Sequence, residues 1–122
     1  MILHEIELFS TNLEKEKSIF QDILGLKLNI DNPEISVYDS GHNGLDFNIS
    51  THNPDNKVSL SFLVQDVDEY YKTLIGKGIP VKEPYDSHLG LREIKFSDKV
   101  GFQIVIHSPT DKSPDWIKKD LR

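Results

Sequence analysis

Apolar and polar residues alternate in "HEIELF", where Ile6 and Leu8 are set among Glu5, Glu7 and Phe9. That two-residue period predicts a half-buried strand. A helix is expected next: Asn12 can cap it, Glu14 and Glu16 suit its positive N-terminal end, and Ile19, Phe20, Ile23 and Leu24 gather on one face before Gly25 stops it. Three short strands follow in "LKLNI", "ISVYD" and "LDFNIS", the last two joined through "SGHNG", whose glycines and Asn43 tolerate positive φ.

Some fifty residues on, the same outline returns. Leu60, Phe62 and Val64 mark one strand face, Asp66 can cap a helix, and Val67, Tyr70, Tyr71 and Leu74 recur at helical spacing until "GKG". The strands "IPVKE", "LREIKFS" and "FQIVIHS" complete the unit, and the polar, turn-rich "THNPDNK" links the two halves. "GLDFNIS" falls on "GFQIVIH" without a gap, so the chain repeats a βαβββ unit. The expected fold is α+β within a single domain over residues 1–122, with modules at about 2–51 and 57–108 and a tail over 109–122. Each twisted mixed sheet is covered by its helix on one face, and the other face is free to curl around a cavity.

Composition narrows the partners. Twenty acidic residues against 14 basic ones leave a formal charge of -6. A phosphate backbone or an anionic membrane surface is repelled on average, so neither nucleic acid nor membrane is expected as a partner. The absence of cysteine removes disulfides, thiolate metal sites and cysteine nucleophiles. "MILHEIELF" carries charge early and has no long apolar core, so neither a signal peptide nor a spanning helix is expected and the protein reads as cytoplasmic. No Gly-rich phosphate loop and no strand-turn-helix serine nucleophile is present.

The duplicated order, with "NLEKEKSIFQDILGLKL", "DVDEYYKTLIGKGIPVKEP" and the closing "LREIKFSDKVGFQIVI", resembles the vicinal oxygen chelate superfamily over roughly residues 2 to 108. That superfamily includes glyoxalase I, the bleomycin-resistance proteins and the extradiol dioxygenases. The resemblance implies paired βαβββ modules around a ligand site, and commonly a homodimer. It also implies metal ligands on the first and last strands of each module, and these positions fall on Glu5, Asn48, Ser59 and Val105. Only Glu5 among them is a strong ligand for a divalent ion, and valine has no donor at all. No metal or other cofactor is therefore expected. His4 stands one residue before the ligand position, and a strand register slipped by one would exchange it for Glu5 and restore a metal reading.

Strand parity supplies the remaining candidates. If Leu45, Phe47 and Ile49 pack beneath the helix, then Asp46, Asn48 and Ser50 face the cavity. In the second module Phe102, Ile104 and Ile106 are core, with Gln103, Val105 and His107 inward. Glu5, Glu7, Phe9, Ser59, Ser61 and Leu63 join them from the leading strands. Such a mixed lining suits a small polar or cationic organic molecule. Glu5 and His107 are the candidate proton carriers, since burial lifts a carboxyl pKa toward neutrality and imidazole already titrates there. Arg92 could hold an anionic ligand or serve as a structural ion pair. His42, His52 and His88 fall in turns and read as solvated. In the tail, Trp116 among charges suggests a short amphipathic turn docking by its indole, or a frayed end.

Three functions remain open. One is metal-free binding of a small organic molecule, as in bleomycin-resistance proteins. Another is a metal-dependent lyase, isomerase or dioxygenase with an atypical ligand set. The third is metal-free proton transfer.

Overall fold

The structure is a computed structural model that describes residues 1–52, 58–97 and 102–121. Most of the linker "THNPDNK", the connection 98–101 and Arg122 lie outside the described residues. Two compact units emerge: His4–Leu60, and Ser61–Arg122 together with Met1–Leu3. No helix among the described residues is long and apolar enough to cross a membrane.

The first unit runs β1 (Ile2–Phe9), α1 (Leu13–Lys17), a π-helical segment (Ser18–Ile23), β2 (Leu28–Asp31), β3 (Ile35–Asp39) and β4 (Asp46–Ser50). Its strands lie in the order β2-β3-β4-β1, with β1 parallel to β4 and the other pairs antiparallel. The second repeats it with β5 (Ser59–Leu63), α2 (Val67–Gly76), β6 (Tyr85–Asp86), β7 (Arg92–Ser97), β8 (Gln103–Ser108) and a final α3 (Asp115–Lys118). There the order is β6-β7-β8-β5, again with antiparallel β6–β7 and β7–β8 pairs. This is the α+β pattern of two βαβββ modules.

Both helix starts behave as their sequence predicts. Asn12 Oδ1 accepts from Lys15 N at 3.1 Å and Asp66 Oδ1 from Glu69 N at 3.2 Å, each satisfying a backbone donor the first helical turn leaves open. Helix α2 lays Val67 and Leu74, with Tyr70 and Tyr71, against Phe62, Val64, Ile94, Phe96, Ile104 and Ile106 of its sheet. In the first module Leu13 and Phe20 meet Leu8, Tyr38, Phe47 and Ile49, and the Phe20 and Phe47 rings stand 5.3 Å apart edge-on.

Four expectations need correction. Ile19, Ile23 and Leu24 do not pack with Phe20: Ile23 is 75% and Leu24 60% exposed. The helix widens after Lys17, where Leu24 N donates to Ile19 O, a five-residue step that rotates Ile23 and Leu24 past the line drawn by Leu13 and Phe20. "IPVKE" forms no strand; pairing is confined to Tyr85 and Asp86, because Pro80 and Pro84 bring no N–H to a ladder. Phe102 stands before β8 and is largely exposed, leaving Ile104 and Ile106 as the core residues. The tail docks through Ile117, wholly buried against Leu63 and Leu91, while Trp116 faces solvent.

The tail has a fixed anchor. Gly90 adopts φ +68°, and a Cβ there would lie 2.5 Å from the Lys112 carbonyl carbon and 2.6 Å from Ser113 N. Thr110 Oγ1 donates to Gly90 O at 2.5 Å. Only glycine admits so close a backbone approach in that conformation.

Candidate functional site

In the first module, alternation along β1 and β4 sends Leu8, Phe47 and Ile49 toward the helix. Glu5, Glu7, Phe9, Asp46, Asn48 and Ser50 therefore share the opposite face. Cross-strand register arranges them in rows: Asp39, Asp46 and Glu5 in one, Val37, Asn48 and Glu7 in the next, then Ile35, Ser50 and Phe9. Ser50 donates to Glu7. Asn48 is 5% exposed, and its Oδ1 has no hydrogen-bond partner among the described residues. His4 is buried. It shares the parity of Ile6 and Leu8 and so lies on the face opposite Glu5.

In the second module, the same alternation along β7 and β8 places Glu93, Lys95 and Ser97 beside His107, Val105 and Gln103, pair by pair. Glu93 and His107 are only 4% and 5% exposed, with Nδ1 of the histidine 4.0 Å from Glu93 Oε1. The other carboxylate oxygen accepts a 2.6 Å hydrogen bond from the Tyr85 hydroxyl and lies 3.6 Å from Lys95 Nζ. Burial first, and then the bond to Glu93, push the Tyr85 phenol well above its usual range, so it stays protonated. One end of this face is covered by the tail, since Ile117 rests on Leu63 and Leu91. The other end opens into a hollow of about 850 Å³ where β7 stops and β8 starts, bordered by Tyr85, Lys95, Ser97 and Gln103 with Val81 and Phe96.

Ser61 is buried on this face of β5, and Ser59 at the start of the same strand is buried too. Arg92 has the parity of Ile94 and Phe96 and points the other way. Its guanidinium spans Asp68 of α2, at 3.0 and 3.1 Å, and Asp86 of β6, at 3.2 Å, which makes it a brace between helix and sheet edge. His107, expected to face inward, is buried.

Glu93, Lys95 and Tyr85 are absent from the sequence-derived candidates. The signal was present in "LREIKFS": the parity that sets Gln103 and His107 inward does the same for Glu93 and Lys95 once β7 and β8 are paired. Tyr85 carries no such signal, because it follows a predicted strand that does not form.

The metal positions implied by the resemblance do not fit an ion. Val105 offers no donor and Ser59 only a neutral hydroxyl, both buried, so those two positions of the second half contribute no strong ligand. Among the described residues no group of three or more His, Asp or Glu side chains could hold a metal ion.

No family model and no curated protein matches the chain. Solved structures do. A glyoxalase/bleomycin resistance protein/dioxygenase superfamily member from Vibrio splendidus 12B01 aligns with TM-score 0.64 at 14% identity, over 86% of this chain and 96% of that one. Methylmalonyl-CoA epimerase from Mycobacterium tuberculosis aligns at 0.62 and 13% identity, over 90% and 89% of the two chains. A chain described as NAD-dependent benzaldehyde dehydrogenase from Legionella pneumophila gives 0.65 at 17% identity, over 87% and 98%. Such different descriptions at such low identity mean that the likeness carries architecture and not activity. The architecture is that of the glyoxalase/bleomycin-resistance/dioxygenase superfamily.

Proposed function

We propose that this protein binds a small organic molecule at the second module, without the metal centre of the superfamily's enzymes. The observation that carries the reading is the hollow of about 850 Å³ at the open end of the Glu93–His107 face. Its volume lies in the range of about 300–1,000 Å³ usual for organic ligands, and it combines apolar walls with a few placed polar groups. Val81, Pro80 and Phe96 supply the walls, and Lys95, Ser97 and Gln103 the polar contacts. The donor-poor positions Ser59 and Val105 support the metal-free part of the proposal. The chain would act in the cytoplasm, as a homodimer.

Metal analysis of protein purified without chelators, paired with a thermal-shift screen of small organic molecules and divalent ions, tests this. Substoichiometric metal, and stabilisation by an organic compound that Gln103→Leu abolishes, are expected. Stoichiometric metal whose removal lowers Tm would sink it and favour the metal-dependent lyase, isomerase or dioxygenase. Metal-free proton transfer is a second reading, favoured by the buried Glu93–His107 pair with Tyr85 bonded to the same carboxylate.

A further inference from the structure

The polarity of the groups around the hollow narrows what it can hold. Tyr85 has one hydroxyl proton, and it is committed to Glu93 Oε2 at 2.6 Å. Toward the hollow, the tyrosine oxygen can therefore only accept. Lys95 is the opposite case. Its Nζ lies 3.6 Å from Glu93, close enough for charge attraction but beyond hydrogen-bond reach, and among the described residues it makes no hydrogen bond. Three N–H donors and a positive charge therefore border the hollow, with Gln103 able to add an amide donor from the neighbouring strand.

The rim charges add to the same preference. Lys82 and Lys95 outnumber Glu83, the only acid bordering the hollow among the described residues. Glu93, buried beneath Tyr85, does not line it. Val81, Pro80, Ile75 and Phe96 add apolar lining, and because Phe96 lies on the helix side of β7 the hollow reaches both faces at this end of the strand. The second hollow, of about 470 Å³ in the first module, differs: its lysine, Lys17, is already held by Asp31 at 2.6 Å and Glu14 at 2.8 Å.

We infer that the second-module hollow takes a small hydroxylated organic acid. Its carboxylate is hydrogen-bonded to Lys95 and Gln103, its hydroxyl donates to the Tyr85 oxygen, and its apolar body lies on Val81 and Phe96. This rests on the small-molecule reading above and adds the charge and the hydrogen-bond polarity of the ligand.

The test is a nitrogen-15 NMR titration with four probes: 4-hydroxybenzoate, benzoate, 4-hydroxybenzamide and 4-hydroxybenzylamine. Saturable shifts at the Val81, Phe96 and Gln103 amides are expected with 4-hydroxybenzoate. The uncharged amide should bind about tenfold more weakly, since a hydrogen bond to a charged group is lost, and benzoate about fivefold more weakly. Lys95→Met should weaken 4-hydroxybenzoate about tenfold, and Gln103→Glu, which sets a second acid against the carboxylate, should abolish its binding. Tyr85→Phe should remove the preference for 4-hydroxybenzoate over benzoate. Equal or tighter binding of the amide or the amine, or indifference to both Lys95→Met and Gln103→Glu, overturns the acid assignment and leaves the small-molecule reading standing. No saturable shift with any probe, together with a thermal-shift screen that finds no organic ligand, removes both.

Discussion

One row on the first module's sheet face opposite the helix sets like charges side by side, with Asp39, Asp46 and Glu5 in consecutive register. The second sets each charge against a complement: Glu93 meets a tyrosine hydroxyl, a lysine and a histidine. The difference teaches what duplication conserves. Two copies of one backbone pattern keep the parity that decides which residues share a face, but parity is indifferent to sign. Neighbouring acids repel and weaken their sheet unless a partner is supplied, whereas a buried acid with three partners becomes part of the module's structure. The helices diverge in the same way. Helix α2 buries a regular stripe, while the widened turn after α1 leaves Ile19, Ile23 and Leu24 largely outside the core.

The largest expected effect breaks the second module's charge balance. Glu93→Ala should cost about 3–5 kcal/mol by denaturant unfolding, because it strands His107, Lys95 and the Tyr85 hydroxyl in or beside a buried site. Glu93→Gln should cost distinctly less, since it keeps an acceptor for Tyr85. If Glu93→Ala is neutral, the contrast between the two faces is wrong.

Next in size is the tail anchor. Gly90→Ala should cost roughly 2–4 kcal/mol, combining an unfavourable left-handed alanine with a clash against the Lys112–Ser113 backbone. Leu89, at φ 56°, already bears left-handed strain in the same turn, so Leu89→Gly should raise stability. Urea midpoints of both variants decide whether this turn holds the tail.

A smaller effect depends on pH. The Tyr85 phenol pKa is raised on folding, so its contribution is fully present below the unfolded value of 10.0 and is lost as pH climbs through the folded one. Wild-type stability should fall at alkaline pH more steeply than that of Tyr85→Phe, which should be less stable by about 1 kcal/mol at pH 7. Parallel alkaline limbs would remove Tyr85 from the Glu93 cluster.

The smallest change should have the opposite sign. Asp39→Asn keeps the acceptor that Gly41 N uses at 2.8 Å but deletes one charge from the acidic row. Stability should rise by about 0.2–1 kcal/mol at low ionic strength, and the gain should shrink in high salt. A loss of stability would mean that repulsion from Asp39 does not weaken this row.

Much of the fold was legible from short-range pattern. Asn12 and Asp66 cap where they stand because a side-chain oxygen three residues ahead of an open N–H is a local geometry. Strand faces in β1, β4 and β8 followed from a two-residue period. Less of the site was legible. Glu93 and Lys95 required pairing β7 with β8, and Tyr85 required knowing that Pro80 and Pro84 delay the edge strand. Arg92 could be placed against Asp68 only once α2 was laid on the sheet.

By itself, then, the sequence determined the duplication, the element types, the caps and the sides on which residues of regular strands fall, since each depends on neighbours a few positions away. Tertiary structure decided the rest: which opposite charges meet at Glu93, that Ile117 and not Trp116 is the buried tail residue, and that the turn after α1 widens. Those outcomes depend on packing between segments distant in the chain, where the free energy of a contact is set by the groups that arrive opposite one another and not by local order.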